Sequence, residues 1–292
     1  NKELCTDDAI FCDYPYLLED LDIGDTLIVD SWLCNIVVKE KFDNYLIWTA
    51  LNTCELGNRR HINLPWVKLK LPWITDKDRQ DVMYAIENDF DFIAMSFVRN
   101  KENIAELRTL LKEHNAEHIK IISKVENQEA IENLDEIIEN SDWVMAARWD
   151  LWVEVPVEKL PFYQKQIVDK CRVHGKFFVI ATHMLETMIE NPFPTRAEVS
   201  DIYNAVMQQA DCTMLSWETT IWKYPIDSVS MMTKIIIEAE KNTNYQHIDY
   251  SNEWLNQRDI EKKLLIKHGI EIAEKLELKW MVVLTKTWLL AR

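Results

Sequence analysis

The 292-residue chain carries 49 acidic against 33 basic side chains, a formal net charge of −16. Its length fits roughly one large domain or two to three smaller ones. Such acidity repels a phosphate backbone and so excludes nucleic acid as a partner, although a locally positive pocket could still take a small phosphate-bearing ligand.

With 48% apolar and 28% charged residues, the composition is that of a globular protein rather than a disordered one. No apolar run reaches the ~18 residues a membrane helix needs, so no membrane contact is expected. The start, NKELCTDDAI, is polar and acidic and does not read as a signal peptide. The six cysteines, Cys5, Cys12, Cys34, Cys54, Cys171 and Cys212, form no C-x-x-C pair and have no histidine cluster beside them. They are expected to be reduced thiols of a cytoplasmic protein.

In chain order, residues 1–70 read as short strands between polar clusters, at 9–12, Thr26–Val29, 35–38 and 45–49, with no helical period. This predicts a small β domain. From about residue 71 helix and strand alternate. Thr75-Asp76 opens a helix carrying Val82 and Ile86, a buried strand follows at 91–98, and Ile104, Leu107, Leu110 and Leu111 fall at helical spacing. Next come a strand at 118–125, a helix with Ile131, Leu134, Ile137 and Ile138, the strand Trp143–Ala147 and a helix at 163–173. The strand Phe177–Ala181, a helix after Pro194-Thr195, a strand at 212–216 and a helix at 226–239 complete about five β-α units. Continuous apolar strands between helices predict a parallel α/β sheet covered by helices. A polar stretch, 241–252, reads as a linker to a helix at 260–276 and a strand at 281–284, which would open a further α/β domain.

In such folds chemistry collects at the C-terminal ends of the strands. The strand ends here offer Lys124 and Glu126 in SKVENQE, Arg148 and Asp150 in AARWD, Thr182 and His183 in IATHMLETM, and Ser216 and Glu218 in MLSWET. Two carboxylates can hold Mg²⁺ while water and substrate oxygens fill its remaining positions. A lysine beside them can neutralise a transferring phosphoryl group. The plainer alternative is that Glu126 and Asp150 cap the following helices, and that Lys124 makes a structural ion pair with Glu126.

The segments KVENQEAIENLDEII, SDWVMAARWDLWVEVP, ATHMLETMIENPFPTRAEVSD, DCTMLSWETTIWKYP and INLPWVKLKLPWITDKD resemble the pyruvate kinase family, as does TKTWLLAR near the end. The resemblance runs over nearly the whole chain. It implies the later strands of a (β/α)8 TIM barrel at 71–240, preceded by part of an inserted small β-barrel domain at 1–70 and followed by the start of a C-terminal α/β domain at 241–292. Barrel strands one to three and most of the C-terminal domain would lie outside this sequence, so the chain alone is expected to be inactive and to aggregate. The implied activity is phosphoryl transfer from phosphoenolpyruvate to ADP, giving pyruvate and ATP. By position, Lys124 resembles the lysine that stabilises the transferring phosphoryl group, and Glu126 and Asp150 the ligands of Mg²⁺ (or Mn²⁺). Thr182 resembles the threonine at the enolate face, and Ser216 and Glu218 the proton-delivery network. Lys124, Trp149, Asp150 and Thr182 stand at substrate-binding positions. K⁺ is implied, with ligands outside this chain, as is a cytoplasmic homotetramer. The chain departs from the family at His183, where glutamine is usual, and at Phe193, where arginine is.

Glycine averages about 7%, which predicts about 20 in this length. There are four, against twelve tryptophans. Trp32, Trp66, Trp143, Trp149, Trp152, Trp217, Trp222 and Trp288 all stand where the family commonly has glycine. Gly-to-Trp exchange adds bulk where the fold has least room. The pattern is that of a source that reads UGA as glycine, rendered here as tryptophan. Taken literally, Trp149 and Trp217 would crowd the rim. Two other readings stay open at this point: a non-catalytic relic of the same fold, and another Mg²⁺-dependent lyase acting on pyruvate-type substrates.

Overall fold

Residues 26–50 form an antiparallel meander because apolar and polar residues alternate along them. The structure is a computed structural model and describes residues 10–30, 33–57, 60–67, 70, 72–220, 223–243 and 257–278. After the short helix α1 (Leu17–Asp20) come β1 (Thr26–Val29), β2 (Cys34–Lys41), β3 (Leu46–Ala50) and β4 (Ile62–Asn63). They pair in the order β3-β2-β1-β4. Thr26 lies opposite Val37 and Val29 opposite Cys34, so the apolar set falls on one face. That face, with Leu27, Val29, Cys34, Ile36 and Val38, is buried with Leu21 and Leu64. Residues 10–12 are not a strand, and Ala9 lies outside the described residues. The expectation of six thiols is also corrected, because Cys34 and Cys54 form a disulfide with Cα atoms 5.6 Å apart. Their separation of 20 residues gave no signal; the β2–β3 hairpin is what brings them together. Cys5 lies outside the described residues.

The rest of the described chain is a helix-strand alternation. In order it comprises α2 (Asp76–Glu87), β5 (Phe92–Met95), α3 (Lys101–Glu113), β6 (Lys120–Val125), α4 (Gln128–Glu132), α5 (Leu134–Asn140), β7 (Trp143–Ala147), α6 (Arg148–Glu154), α7 (Leu160–Val173), β8 (Phe177–Ala181), α8 (Arg196–Met207), β9 (Cys212–Met214), α9 (Trp217–Thr220) and α10 (Pro225–Glu240). The strands form a parallel sheet in the order β5-β6-β7-β8-β9, each beside its sequence neighbour. Helix starts are set by side chains: Thr75 and Asp78 make a reciprocal capping box on α2, and Thr195 and Glu198 make one on α8. Asp142 and Asp211 tie adjacent strands at their entry ends. The Ile121 N–H donates to Asp142 Oδ2 at 2.9 Å, and the Phe178 N–H to Asp211 Oδ2 at 2.8 Å.

The sheet buries both faces of its central strands, as parallel sheets do. Ile121, Val125, Val144, Ala146, Phe178 and Ile180 pack against the helices with Ile104, Leu107, Ile137 and Ile167. Met145, Val179 and Ala181 form a second cluster on the opposite face with Ile122, Trp143 and Met214. There Trp143 stacks on Phe177, ring centroids 4.6 Å apart, and meets Phe92 edge-on. The outermost strand β5 leaves Phe92 41% exposed. A last helix, α11 (Gln257–Lys275), covers the helix expected at 260–276, whereas the strand expected at 281–284 lies outside the described residues. The α/β class and the parallel sheet therefore hold.

Candidate active site

Strand β6 places the first pair. Its residues alternate between faces, so Lys124 and Glu126, two apart, project to the same side while Val125 turns to the helices. Lys124 Nζ lies 2.7 Å from Glu126 Oε1 and donates to Ser96 Oγ at 3.0 Å. Glu126 is fully buried, and its Oε2 accepts the Phe97 N–H at 2.6 Å. Burial pushes its pKa up, and the Lys124 charge pulls it back. Oε1 is therefore held in a close ion pair with the ammonium, away from solvent. Glu126 does not cap a helix; Asn127 is the N-cap of α4. The ion-pair alternative for Lys124 is thus present in the fold.

Strand β7 runs straight into α6. Asp150 falls in the first turn of α6, where the helix N-terminus favours a negative charge, and its field reaches Glu126 and Glu154. Among the described residues no group of three or more His, Cys, Asp or Glu surrounds a common point. A cation here would have Glu126 and Asp150 as its protein ligands and would draw the others from water and substrate. That is the usual manner of Mg²⁺, and a buried Glu126 carboxylate that feels the charge of Asp150 fits it.

Thr182 and His183 follow β8 with φ of 68° and 53°. Two consecutive non-glycine residues in the left-handed region are strained and persist only if their surroundings hold them. The Trp149 N–H donates to Thr182 Oγ1 at 3.0 Å, and that hydroxyl donates to the Ala181 carbonyl at 2.7 Å. His183 lies between two indoles, with centroids 4.7 Å from Trp149 and 5.3 Å from Trp152. Burial, with the Arg148 charge in the same sense, pushes its pKa down to about 4.

Glu218 is buried, and both its oxygens accept backbone N–H groups, Oε1 from Leu185 at 3.0 Å and Oε2 from Ser216 at 2.9 Å. It thus fixes the turn after β9 to the segment after β8. Trp217 is 58% exposed. Trp66 has φ 70°, a conformation that suits glycine. Trp32, Trp222 and Trp288 lie outside the described residues.

Three features escaped the sequence. Arg148 turns inward rather than onto the rim, as described below. Glu154 is pushed up to about 7 by burial and accepts from Asn63 Nδ2 at 3.2 Å, a contact between the antiparallel sheet and α6. A cavity of about 610 Å³ lies beside β5, lined by Asn63, Trp66, Trp73, Ser96, Phe97 and Glu154 among others. Lys124, Glu126 and Asp150 are not among its lining residues.

These features define a parallel α/β chain with its chemistry-bearing side chains at the strand ends. Residues 1–229 match the family model for the pyruvate kinase barrel domain. The chain is 40% identical over 272 residues to a pyruvate kinase of Geobacillus stearothermophilus, covering 92% of this chain and 45% of that protein. It is 42% identical over 245 residues to that of Bacillus licheniformis, covering 83% and 42%, and 41% identical over 240 residues to that of Clostridium acetobutylicum, covering 82% and 51%. The chain belongs to the pyruvate kinase family. It spans about half the length of the curated relatives it matches.

Proposed function

We propose that the protein containing this chain is a pyruvate kinase: it transfers the phosphoryl group of phosphoenolpyruvate to ADP, and the rim of β6, β7 and β8 carries the reaction. The observation that carries this reading is the Lys124–Glu126 pair, a fully buried carboxylate with its Oε1 2.7 Å from an ammonium at the end of a parallel strand. Family membership and about 40% identity to proteins named pyruvate kinase support it. They give no support to the non-catalytic or lyase alternatives. Residues 71–240 are assigned as later strands of a (β/α)8 barrel, 1–70 as an inserted β domain and 241–292 as the start of a C-terminal domain. The whole protein is assigned to the cytoplasm as a homotetramer that also uses K⁺.

In this reading Glu126 and Asp150 hold Mg²⁺ (or Mn²⁺), which when bound offsets the charge of the substrate oxygens. Lys124 Nζ faces the same region and stabilises charge on the phosphoryl group as its bond to the enol oxygen breaks and a bond to the ADP β-phosphate oxygen forms. The enolate left behind takes a proton at its methylene carbon to give pyruvate. Thr182 faces that carbon, and its hydroxyl must release the Ala181 carbonyl in order to donate. Ser216 and Glu218 belong to the surrounding proton network, Glu218 by fixing the Ser216 backbone. Position 149 lends its backbone to the substrate, which requires a small residue. We assign glycine in the native protein to the family-glycine positions that read as tryptophan here. The left-handed Trp66 supports this assignment.

The cation sites are tested in the full-length natural protein by pyruvate formation against Mg²⁺ concentration. Glu126→Gln and Asp150→Asn are expected to raise the Mg²⁺ requirement at least about tenfold, because losing even an outer-shell partner of a metal ligand costs about that much. An unchanged requirement in both variants would remove them as ligands.

A further inference from the structure

Arg148 is 5% exposed, yet it stands at the end of β7 beside Trp149 and Asp150. Its guanidinium is divided between the end of β8 and two side chains behind it. Nε donates to the carbonyls of Ala181 at 3.3 Å and Thr182 at 3.1 Å, and Nη2 donates to the same Thr182 carbonyl. Nη1 is anchored from behind by Asp201 Oδ2 at 2.6 Å and Gln164 Oε1 at 3.3 Å. Gln164 is itself fixed by donating to Gln208 Oε1 at 2.9 Å. Thr182 and His183 are the two left-handed residues of this segment. A β-branched residue does not hold that conformation unaided. The planar fork captures the Thr182 carbonyl in the orientation that the left-handed turn gives it, and a lysine has no such fork.

We propose that Arg148, anchored by Asp201 and Gln164, is a positioning residue that holds the Thr182 peptide in its left-handed conformation and so aims the Thr182 hydroxyl across the rim. The inference rests on the reading of Thr182 as the residue facing the enolate. Arg148 does not touch substrate. It sets where Thr182 Oγ1 lies relative to the position-149 N–H, and with it the protonation step.

The test is a double-mutant cycle in the full-length natural protein with Arg148→Lys, Thr182→Ala and the pair, with Asp201→Asn as a second route to the same anchor. Three quantities are read for each: kcat, KM for phosphoenolpyruvate, and exchange of pyruvate methyl protons into D₂O followed by NMR, all normalised to folded protein. Misplacing a reacting group by about 1 Å costs about 100-fold, so Arg148→Lys is expected to lower kcat and methyl exchange together by about 10- to 100-fold, with KM changed less than about 3-fold. In the Thr182→Ala background the same change should cost less than about 2-fold, because the group being aimed is gone. Asp201→Asn should lower methyl exchange in the same sense, and it decides the matter if Arg148→Lys does not fold. Full kcat in Arg148→Lys beside an impaired Thr182→Ala would overturn the proposal and leave the Thr182 reading standing. An equal loss from Arg148→Lys in both backgrounds would overturn it too. A fully active Thr182→Ala would remove the premise, and the proposal with it.

Discussion

Lys124 Nζ sits 2.7 Å from Oε1 of a Glu126 that is fully buried, and the two residues reach each other because they are two apart in extended chain where β6 ends. Removing one partner of such a pair leaves a buried group without its counter-charge, which is costlier than losing the pair. Lys124→Met should therefore lower the melting temperature in EDTA, by roughly 2–4 °C per kcal/mol lost in a chain of this size. Millimolar Mn²⁺ should restore part of that loss by supplying the missing positive charge, and it should still bind by paramagnetic relaxation. A melting temperature indifferent to both substitution and Mn²⁺ would mean that Glu126 has no cation role.

Trp66 is 65% exposed with φ 70°. Side chains other than glycine lose about 1–2 kcal/mol in the left-handed region. Trp66→Gly should stabilise the chain by about 1 kcal/mol, read as a higher urea midpoint at unchanged slope. A lower midpoint would show that the indole contributes more by packing than its backbone loses.

His183 and Glu154 give opposite pH dependences. His183 has its pKa pushed down to about 4, below that of an unfolded histidine. The unfolded chain therefore binds the extra proton first. Its contribution to stability is complete above about 6.5 and is lost as pH falls from there toward 4. Glu154 is pushed up to about 7. The fold keeps its proton longer than the unfolded chain does, so that stability is complete below about 4.5 and is lost as pH rises through 7. In metal-free urea titrations, His183→Gln should flatten the loss between pH 6.5 and 4.5, and Glu154→Gln should raise stability above pH 7. Parallel pH profiles for all three proteins would refute both assignments.

The parts of the fold written locally were legible. The end of one predicted strand offered Lys124 and Glu126 together, and Thr75-Asp76 and Pro194-Thr195 marked the starts of α2 and α8. Contacts between distant segments were not. Cys34 and Cys54 meet only because of a hairpin register, and Glu154 departs from an ordinary glutamate only because Asn63, 91 residues away, arrives beside it in a buried place. Arg148 looked like a rim residue from its strand position, but Asp201, 53 residues on, draws it inward. The strain at Thr182 likewise has no sequence mark, because a β-branched residue does not announce a positive φ.

The central claim is phosphoryl transfer aided by Lys124, and the most direct measurement is pyruvate formation from phosphoenolpyruvate and ADP with Mg²⁺ and K⁺, comparing the full-length natural protein with its Lys124→Met variant. The account predicts ready turnover in the natural protein and a loss of at least about 100- to 1,000-fold in kcat for Lys124→Met, the scale of removing one preorganised charge-stabilising donor. No turnover in the natural protein, or turnover unchanged by the substitution, would contradict it.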